Sequence, residues 1–334
     1  MDFYIKLARQ PKLFLSVTGM HLHTFQELLP HFEQAFLKLE AARKCKTVRT
    51  SADRQRLAGA GRAFNNDLAN RALMLLVYYR LYLTQEFMTL LFKAADKSVI
   101  CRNIQQMRPV IEAVLPTPER ARQRIFSLAK AEDERRKKRI GSIDEFREAY
   151  PELTFIIDGV EQPKHKPKDK QKRKDDYSGK KKRHTHKQLV TATPNGIIVD
   201  QSPSVGGRTH DFQAMKNDHA QRGVLKEFAV IRASLYGDSG FQGMAEMGLP
   251  MEVRLIQRAR RNHPLMRDQK KLNHLRASTR VKIEHTISRR KKYRIAAETY
   301  RNRDEDYDQT MKIVGGLVNL RAYERVFQRT GVRL

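Results

Sequence analysis

Three acidic residues are spaced so that their carboxylates can act together. Asp158 ends the apolar run LTFII, Asp238 ends the strand-like segment ASLYG, and Glu284 lies within the helical stretch STRVKIEHTISRRKK. Strand ends and one packed helix can meet at a single edge of a mixed α/β sheet. Three carboxylates meeting there would repel one another unless divalent cations lay among them, and such oxygen ligands suit Mg²⁺ or Mn²⁺ rather than zinc. A pair of these ions can activate water or a hydroxyl in phosphodiester cleavage.

Each acid also has an ordinary structural explanation. An aspartate after a strand is often a turn former, and a glutamate among basic residues is usually in a surface ion pair that contributes little stability. The spacing alone leaves both interpretations open.

The elements that would position these acids follow residue 151. The run LTFII is typical of a strand buried on both faces, and Pro194-Asn195-Gly196 between two β-rich stretches predicts a hairpin. A helix is expected at DFQAMKND, a short strand at Met251 to Ile256, and two long helices from Gln269 to about Arg294 and from Asp306 to about Phe327. The pattern predicts an α/β domain with a mixed sheet.

The N-terminal part of the chain reads as helical. Apolar residues recur at three- and four-residue steps through residues 1–45, with Pro30 marking a boundary or kink. A basic, glycine-containing connector follows. Residues 67–115 predict a compact three-helix unit, with Thr84 and Ser98 as N-caps.

The spacing within residues 67–115 is that of a helix-turn-helix. Its last helix presents side chains of the types that reach phosphates and base edges: Ser98, Arg102, Gln105 and Gln106. The alternative is an ordinary three-helix domain whose polar face contacts water.

The charge of the chain indicates a polyanionic partner. Lysine and arginine number 66 against 37 aspartates and glutamates, which gives a formal net charge of +29, and attraction to nucleic acid is the usual reason for such an excess. A dense basic run spans residues 164–187, and it contains an aromatic next to clustered charge: Tyr177, Lys180, Lys181, Lys182 and Arg183. This combination suits contact with a DNA backbone; the alternative is a solvated loop.

Other residues near the acids have a binding and a structural interpretation. Arg280 and Lys291 share the helix side of Glu284, where they would hold a phosphate or pair with Glu284. His210 and Asp211, in GGRTHDF, are expected near the same edge, with His210 in a supporting role at most.

Several protein classes are excluded by composition. The longest apolar run is far shorter than the roughly 20 residues of a membrane span, and we expect no secretory signal. The chain has two cysteines, so a disulfide scaffold and a cysteine-type zinc site are excluded and a reducing cytosol is expected.

Several motifs together resemble one family. The segments FIIDGVEQP, DYSGKKKRHTHK, GGRTHDFQ, YGDSGFQG and RVKIEHTISRRKKYRIAAETYRNR resemble the catalytic half of bacterial DDE transposases of the insertion-sequence-five type, relatives of the eukaryotic Harbinger elements. The segment YYRLYLTQEFMTLLFKAADKSVICRNI looks like the helix-turn-helix of that family. One departure is Ser239, where many relatives have lysine; all three acids are present.

This resemblance implies an RNase H-like catalytic domain preceded by an all-α helix-turn-helix region. The expected divisions are residues 1–66 (helices and basic connector), 67–115 (helix-turn-helix), 116–150 (charged helical linker) and 151–334 (catalytic domain). Asp158, Asp238 and Glu284 would bind two Mg²⁺ ions, for which Mn²⁺ substitutes.

The implied activity is DNA transposition. The protein would bind the terminal inverted repeats of its element, cut there, and join the 3′-OH ends to target double-stranded DNA, as a homodimer or larger complex in the bacterial cytoplasm at the nucleoid. The alternative is a domesticated sequence-specific DNA-binding protein derived from a transposase.

Overall fold

A computed structural model describes residues 3–46, 66–136, 154–231, 233–249, 251–259 and 264–330. They fall into two compact units. The first comprises residues up to Leu115 together with Tyr293–Ile295, and the second comprises Pro116–Lys292 and the residues from Ala296 onward.

The first unit is all-α in the part of the chain that the structure describes. Its core is α4, which is buried along nearly its whole length because it packs against α2, α3 and α6. This explains the continuous apolar sequence of α4. The helices are α1 (Phe3–Ala8), α2 (Pro11–Thr18), α3 (Leu22–Lys46), α4 (Leu68–Leu81), α5 (Gln85–Phe92) and α6 (Lys97–Val114).

Two local expectations in this unit differ from the structure. Helix α3 continues through Pro30, so this proline marks no helix boundary. The N-cap of α6 is Asp96, whose carboxylate accepts hydrogen bonds from the backbone of Ser98 and Val99; Ser98 is already in the first turn. The cap at Thr84 is confirmed, since its hydroxyl accepts from the Phe87 backbone N–H. The basic connector lies outside the described residues except at its ends.

The second unit combines helices with a sheet. The strands are β1 (Thr154–Pro163), β2 (Tyr177–Ser178), β3 (Arg183–Ala192), β4 (Ile198–Gln201), β5 (Val205–Gly206), β6 (Ser234–Gly237) and β7 (Glu252–Leu255). The helices are α7 (Pro118–Arg136), α8 (Lys170–Asp175), α9 (Asp211–Arg222), α10 (Val224–Val230), α11 (Arg267–Lys291) and α12 (Tyr307–Thr330).

Strand β1 is the centre of the sheet. It pairs antiparallel with β3 on one side and parallel with β6 on the other, and β6 pairs parallel with β7. Strand β3 also pairs with β2, β4 and β5. The mixed α/β sheet and the hairpin at residues 194–196 are therefore confirmed.

The core of the second unit holds the sheet against helices on its faces. Phe155 of β1 and Phe228 of α10 have ring centroids 4.6 Å apart, and Phe126 of α7 lies 5.8 Å from Phe228. Helix α7 also packs against β4 and α12. The described part of residues 116–150 is thus a packed helix of this unit, while residues 137–150 lie outside the described chain. Within the described residues, no helix has the length and apolarity needed to cross a membrane.

Candidate active site

Asp158 and Asp238 lie on neighbouring parallel strands. The parallel register places Ile156 opposite Tyr236, so the residues two positions further along, Asp158 and Asp238, follow side by side. Asp238 comes directly after β6, as expected, and its carboxylate accepts a hydrogen bond of 2.7 Å from the Gly240 N–H. Asp158 does not end its strand: β1 continues to Pro163 because its second half pairs with β3.

Glu284 reaches the same region from α11, which packs against β1. Arg280, one helical turn earlier, connects the two elements. Its Nη2 donates to Glu284 Oε1, and its Nη1 lies 3.8 Å from Asp158 Oδ2. In this conformation Arg280 is an ion-pair partner of both acids.

Asp158 and Glu284 line one open cleft of about 400 Å³. Further acids at its wall are Glu161 and Asp211, and basic side chains come from Lys180, Lys181 and Lys291. The cleft therefore places a group of carboxylates beside a group of lysines, as a site for a metal-bound phosphodiester requires.

Gly159 permits the close approach of Asp211 to β1. A Cβ atom at Gly159 would lie 2.8 Å from Asp211 Oδ1.

Sequence reasoning predicted that Asp211 lies near this edge, but it missed Glu161 and Lys187. Lys187 is the register partner of Glu161, and its Nζ lies 3.5 Å from Glu161 Oε1 and 3.1 Å from Asp211 Oδ1. Only the strand register reveals this opposite-charge pair.

The pKa of Asp158 is raised to about 6, first because the carboxyl is buried and further because Asp238 and Asp211 are negatively charged. A hydrogen bond from the Gly159 N–H and the charge of Arg280 lower the pKa only in part. The hydrogen bond and the ion pair therefore offset only part of the cost of burying the charged Asp158 carboxylate.

Replacing Asp158 by Asn should stabilise the metal-free protein at pH 7.5. The folded-state pKa of about 6 exceeds the unfolded value, so the charged carboxylate disfavours folding above pH 6, and this destabilisation fades as pH falls toward 4. With the Asp158 side chain 18% exposed, the gain is at most on the order of 3 kcal/mol. Urea unfolding of both proteins in EDTA at pH 7.5 and pH 4.5 measures this difference in stability. If the variant and the wild type are equally stable at both pH values, the buried charge of Asp158 does not destabilise the protein.

The predicted DNA-contacting residues fall into two groups. In the second unit, Lys180, Lys181 and Lys291 line the cleft. Tyr177, Lys182 and Arg183, which are close to Lys180 and Lys181 in sequence, are exposed. On α6 of the first unit, Ser98, Arg102 and Gln105 are exposed, whereas Gln106 Oε1 accepts a hydrogen bond of 2.8 Å from Arg71. His210 is exposed at the start of α9.

The carboxylates of the cleft are the type of ligand that suits a divalent cation, but they are not gathered closely around one point. Among the described residues, no three histidines, cysteines, aspartates or glutamates are grouped closely enough to hold a metal ion. The adjacent acids Asp158 and Asp238 offer carboxylate oxygens, which are the ligands that Mg²⁺ prefers. Glu284 is held by Arg280, so it would have to leave this partner to join them.

Comparisons with known proteins found a matching family model and a related protein. Residues 157–319 match the model of a family described as DDE superfamily endonuclease. The chain is 24% identical over 269 residues to a protein of Microchaete diplosiphon named probable transposase for insertion sequence element IS702, covering 80% of this chain and 86% of that protein. No solved structure matches the chain. These matches support a DDE-type insertion-sequence transposase, and the three acids lie within the matched residues; the insertion-sequence-five subtype stays a prediction.

Proposed function

We propose that this chain is a DNA transposase of the insertion-sequence-five type that cleaves DNA at the ends of its element and joins the 3′-OH ends to target DNA. The observation that carries the proposal is the meeting of Asp158 and Glu284 in one cleft, with Asp238 beside Asp158 on the neighbouring strand. The lysines at the cleft wall supply the positive charge that a phosphodiester backbone needs.

The sheet supports an RNase H-like catalytic domain. A central strand with antiparallel neighbours on one side and parallel neighbours on the other is the arrangement that the resemblance implies. Helices α5 and α6, joined by a four-residue turn at 93–96, support a helix-turn-helix that reads the terminal repeats through Ser98, Arg102, Gln105 and Gln106. Bringing two element ends together would require at least a homodimer.

Asp158, Asp238 and Glu284 are the residues that would hold two Mg²⁺ ions, or Mn²⁺ in their place. Such ions, when bound, activate the attacking water or 3′-OH and stabilise the leaving oxygen. The backbone N–H groups of Gly159 and Gly240 orient the two aspartates.

In this proposal, Arg280 pairs with the acids in the free protein and binds the scissile phosphate in the complex with DNA. While no substrate is present, it is an ion-pair partner of both Asp158 and Glu284. Once cations and a scissile phosphate enter, we expect its guanidinium to turn toward the phosphate, together with Lys291. Lys180 and Lys181 then hold the flanking backbone.

A cleavage and strand-transfer assay tests the function. Labelled DNA carrying the inverted repeats that flank the open reading frame is incubated with the full chain and Mg²⁺. The proposal predicts metal-dependent nicking at the repeat boundary, followed by joining to unlabelled target DNA. Tight specific binding without cleavage in Mg²⁺ and in Mn²⁺ would contradict it and would indicate a domesticated DNA-binding protein.

Neutralising the basic turn at residues 180–183 should weaken DNA binding and flatten its salt dependence. Changing Lys180, Lys181, Lys182 and Arg183 to glutamine removes cations beside the cleft, and each lost phosphate contact lowers the slope of log Kobs against log salt by about 0.9. Fluorescence anisotropy at several salt concentrations measures the slope.

The matched control removes the same charge from the same basic run, away from the cleft lining. It carries glutamine at four exposed lysines: Lys166, Lys168, Lys170 and Lys174. If both variants lose the same slope, the turn has no special contact with DNA.

A further inference from the structure

A second cavity lies on the opposite side of α11 from the candidate active site. It has a volume of about 440 Å³ and is bounded by the β3–β4 hairpin turn, by α11 and by the C-terminal half of α12. Three basic residues of α11 face it: Lys282, His285 and Arg289. Their helical spacing puts them on a face roughly opposite to that of Glu284. The fourth basic side chain is Arg325 of α12.

The two arginines of this cavity are held in place by packing. Arg289 lies against the hairpin turn, where a Cβ atom at Gly196 would come within 2.6 Å of Arg289 Nη1. Gly196 has a φ of 85°, so this turn both requires glycine and leaves room for the guanidinium. Arg325 Nη2 is buried, and within the described chain it has no hydrogen-bond partner.

The described residues that line this cavity include four basic side chains and no carboxylate. The pKa of Arg325 is lowered to about 10, first because the guanidinium is buried and further because Arg289 and Arg321 are positively charged, while Glu324 raises it only in part. Glu324 itself pairs with Arg321, at 3.0 Å. Like charges gathered beside a buried donor without a partner destabilise the free protein, so the arrangement is explained by an anion that binds there.

We propose that this cavity binds a phosphodiester group of double-stranded DNA, at a place separate from the scissile phosphate. Guanidinium groups match phosphate geometry and charge, and a chain of net charge +29 attracts DNA before other anions. The proposal rests on the proposed function as far as DNA is the partner. DNA bound here and in the cleft would contact both faces of α11, the helix that carries Glu284.

The test is a double variant with Arg289→Gln and Arg325→Gln, compared with wild type in the full chain. Anisotropy with labelled double-stranded DNA should show binding about tenfold weaker and a salt slope lower by about 1–2. Because phosphate contacts carry no sequence information, the loss should be equal for DNA with and without the terminal repeat. The matched control carries Lys216→Gln and Lys226→Gln, two exposed lysines outside both cavities, and should lose less of the slope.

Thermal unfolding without DNA separates binding from a structural role. If the two arginines bind a DNA phosphate and do not stabilise the free protein, the double variant unfolds at the same temperature as wild type or at a higher one. A lower unfolding temperature with unchanged DNA affinity would overturn the proposal and make them structural. Unchanged affinity and slope would also overturn it, in favour of an acidic protein partner.

A milder variant keeps the test usable if the double variant does not fold. Lys282→Gln with His285→Gln changes only exposed residues at the rim and should lower the salt slope by about 1; an unchanged slope would count against the proposal. Nicking by the wild-type chain is measured in parallel. Its absence would contradict the proposed function, whereas normal nicking with unchanged binding by the variants contradicts this inference alone.

Discussion

Glu284→Gln should abolish DNA cleavage while DNA binding and folding stay near wild type. The glutamate is 48% exposed, and its ion-pair partner is Arg280 on the same helix, so loss of its charge should change stability by under about 1 kcal/mol. Glutamine keeps the shape of the side chain but removes the charge that a divalent cation needs. A residue acting directly in the chemistry gives losses of about a thousandfold or more.

Three measurements make this result decisive. Nicking of labelled element ends in Mg²⁺ reports chemistry, anisotropy reports DNA affinity, and urea unfolding reports stability. Glu227→Gln is a matched control, because Glu227 is 46% exposed and pairs with Arg122 at 3.0 Å, outside the cleft. Equal loss of binding and cleavage would make Glu284 structural, and undiminished cleavage would remove it from the chemistry.

The sequence placed Glu284 and Arg280 together because helical spacing is a local property. It could not show that Arg280 also reaches Asp158, since that contact joins a helix to a strand more than a hundred residues earlier. The same limit applies to Lys187, whose pairing with Glu161 depends on the register of β1 and β3, and to Arg325, which meets Arg289 only because α12 packs against α11.

Local signals failed where tertiary contacts override them. Residues 159–163, with the sequence GVEQP, have weak strand propensity, but β1 continues through them because every one pairs with β3. Pro30 lies inside α3, where sequence rules predict an interruption. The cap of α6 moved by two residues because Asp96 is as good a cap as Ser98, and the two are too close in sequence to distinguish.

The hairpin and the strand before Asp238 were predictable for a physical reason. Pro194-Asn195-Gly196 supplies the turn that the hairpin needs. The short, largely apolar segment before Asp238 ends at a turn-forming sequence, which is typical of a buried strand. What the sequence could not supply was the order of the strands, which brings Asp158 and Asp238 side by side.

Asn319→Leu should destabilise the second unit by about 3–5 kcal/mol. Asn319 lies on α12 with none of its side chain exposed. Its Oδ1 accepts from the Ile198 N–H at 2.6 Å, and its Nδ2 donates to Ile198 O at 2.8 Å and to Pro116 O at 3.0 Å. Leucine would leave the two buried backbone groups of Ile198 and the partly buried Pro116 O without these partners, and each buried group without a partner costs about 1–3 kcal/mol.

The expected loss is a large share of the 5–15 kcal/mol that stabilises a typical domain. Urea unfolding at pH 7.5 measures it, and Asn217→Ala is the control, because Asn217 is exposed on α9 and accepts one bond from Gln213; we expect a change within about 0.5 kcal/mol there. If Asn319→Leu yields no folded protein, Asn319→Ser, which retains one acceptor and one donor, should fold with a smaller loss. A loss below about 1 kcal/mol for leucine would show that water or neighbouring groups replace the amide.

The contacts of Asn319 join β4 to α12 and to the start of α7. Loss of these contacts should also loosen the hairpin turn against which Arg289 packs, and so weaken DNA binding at the second cavity.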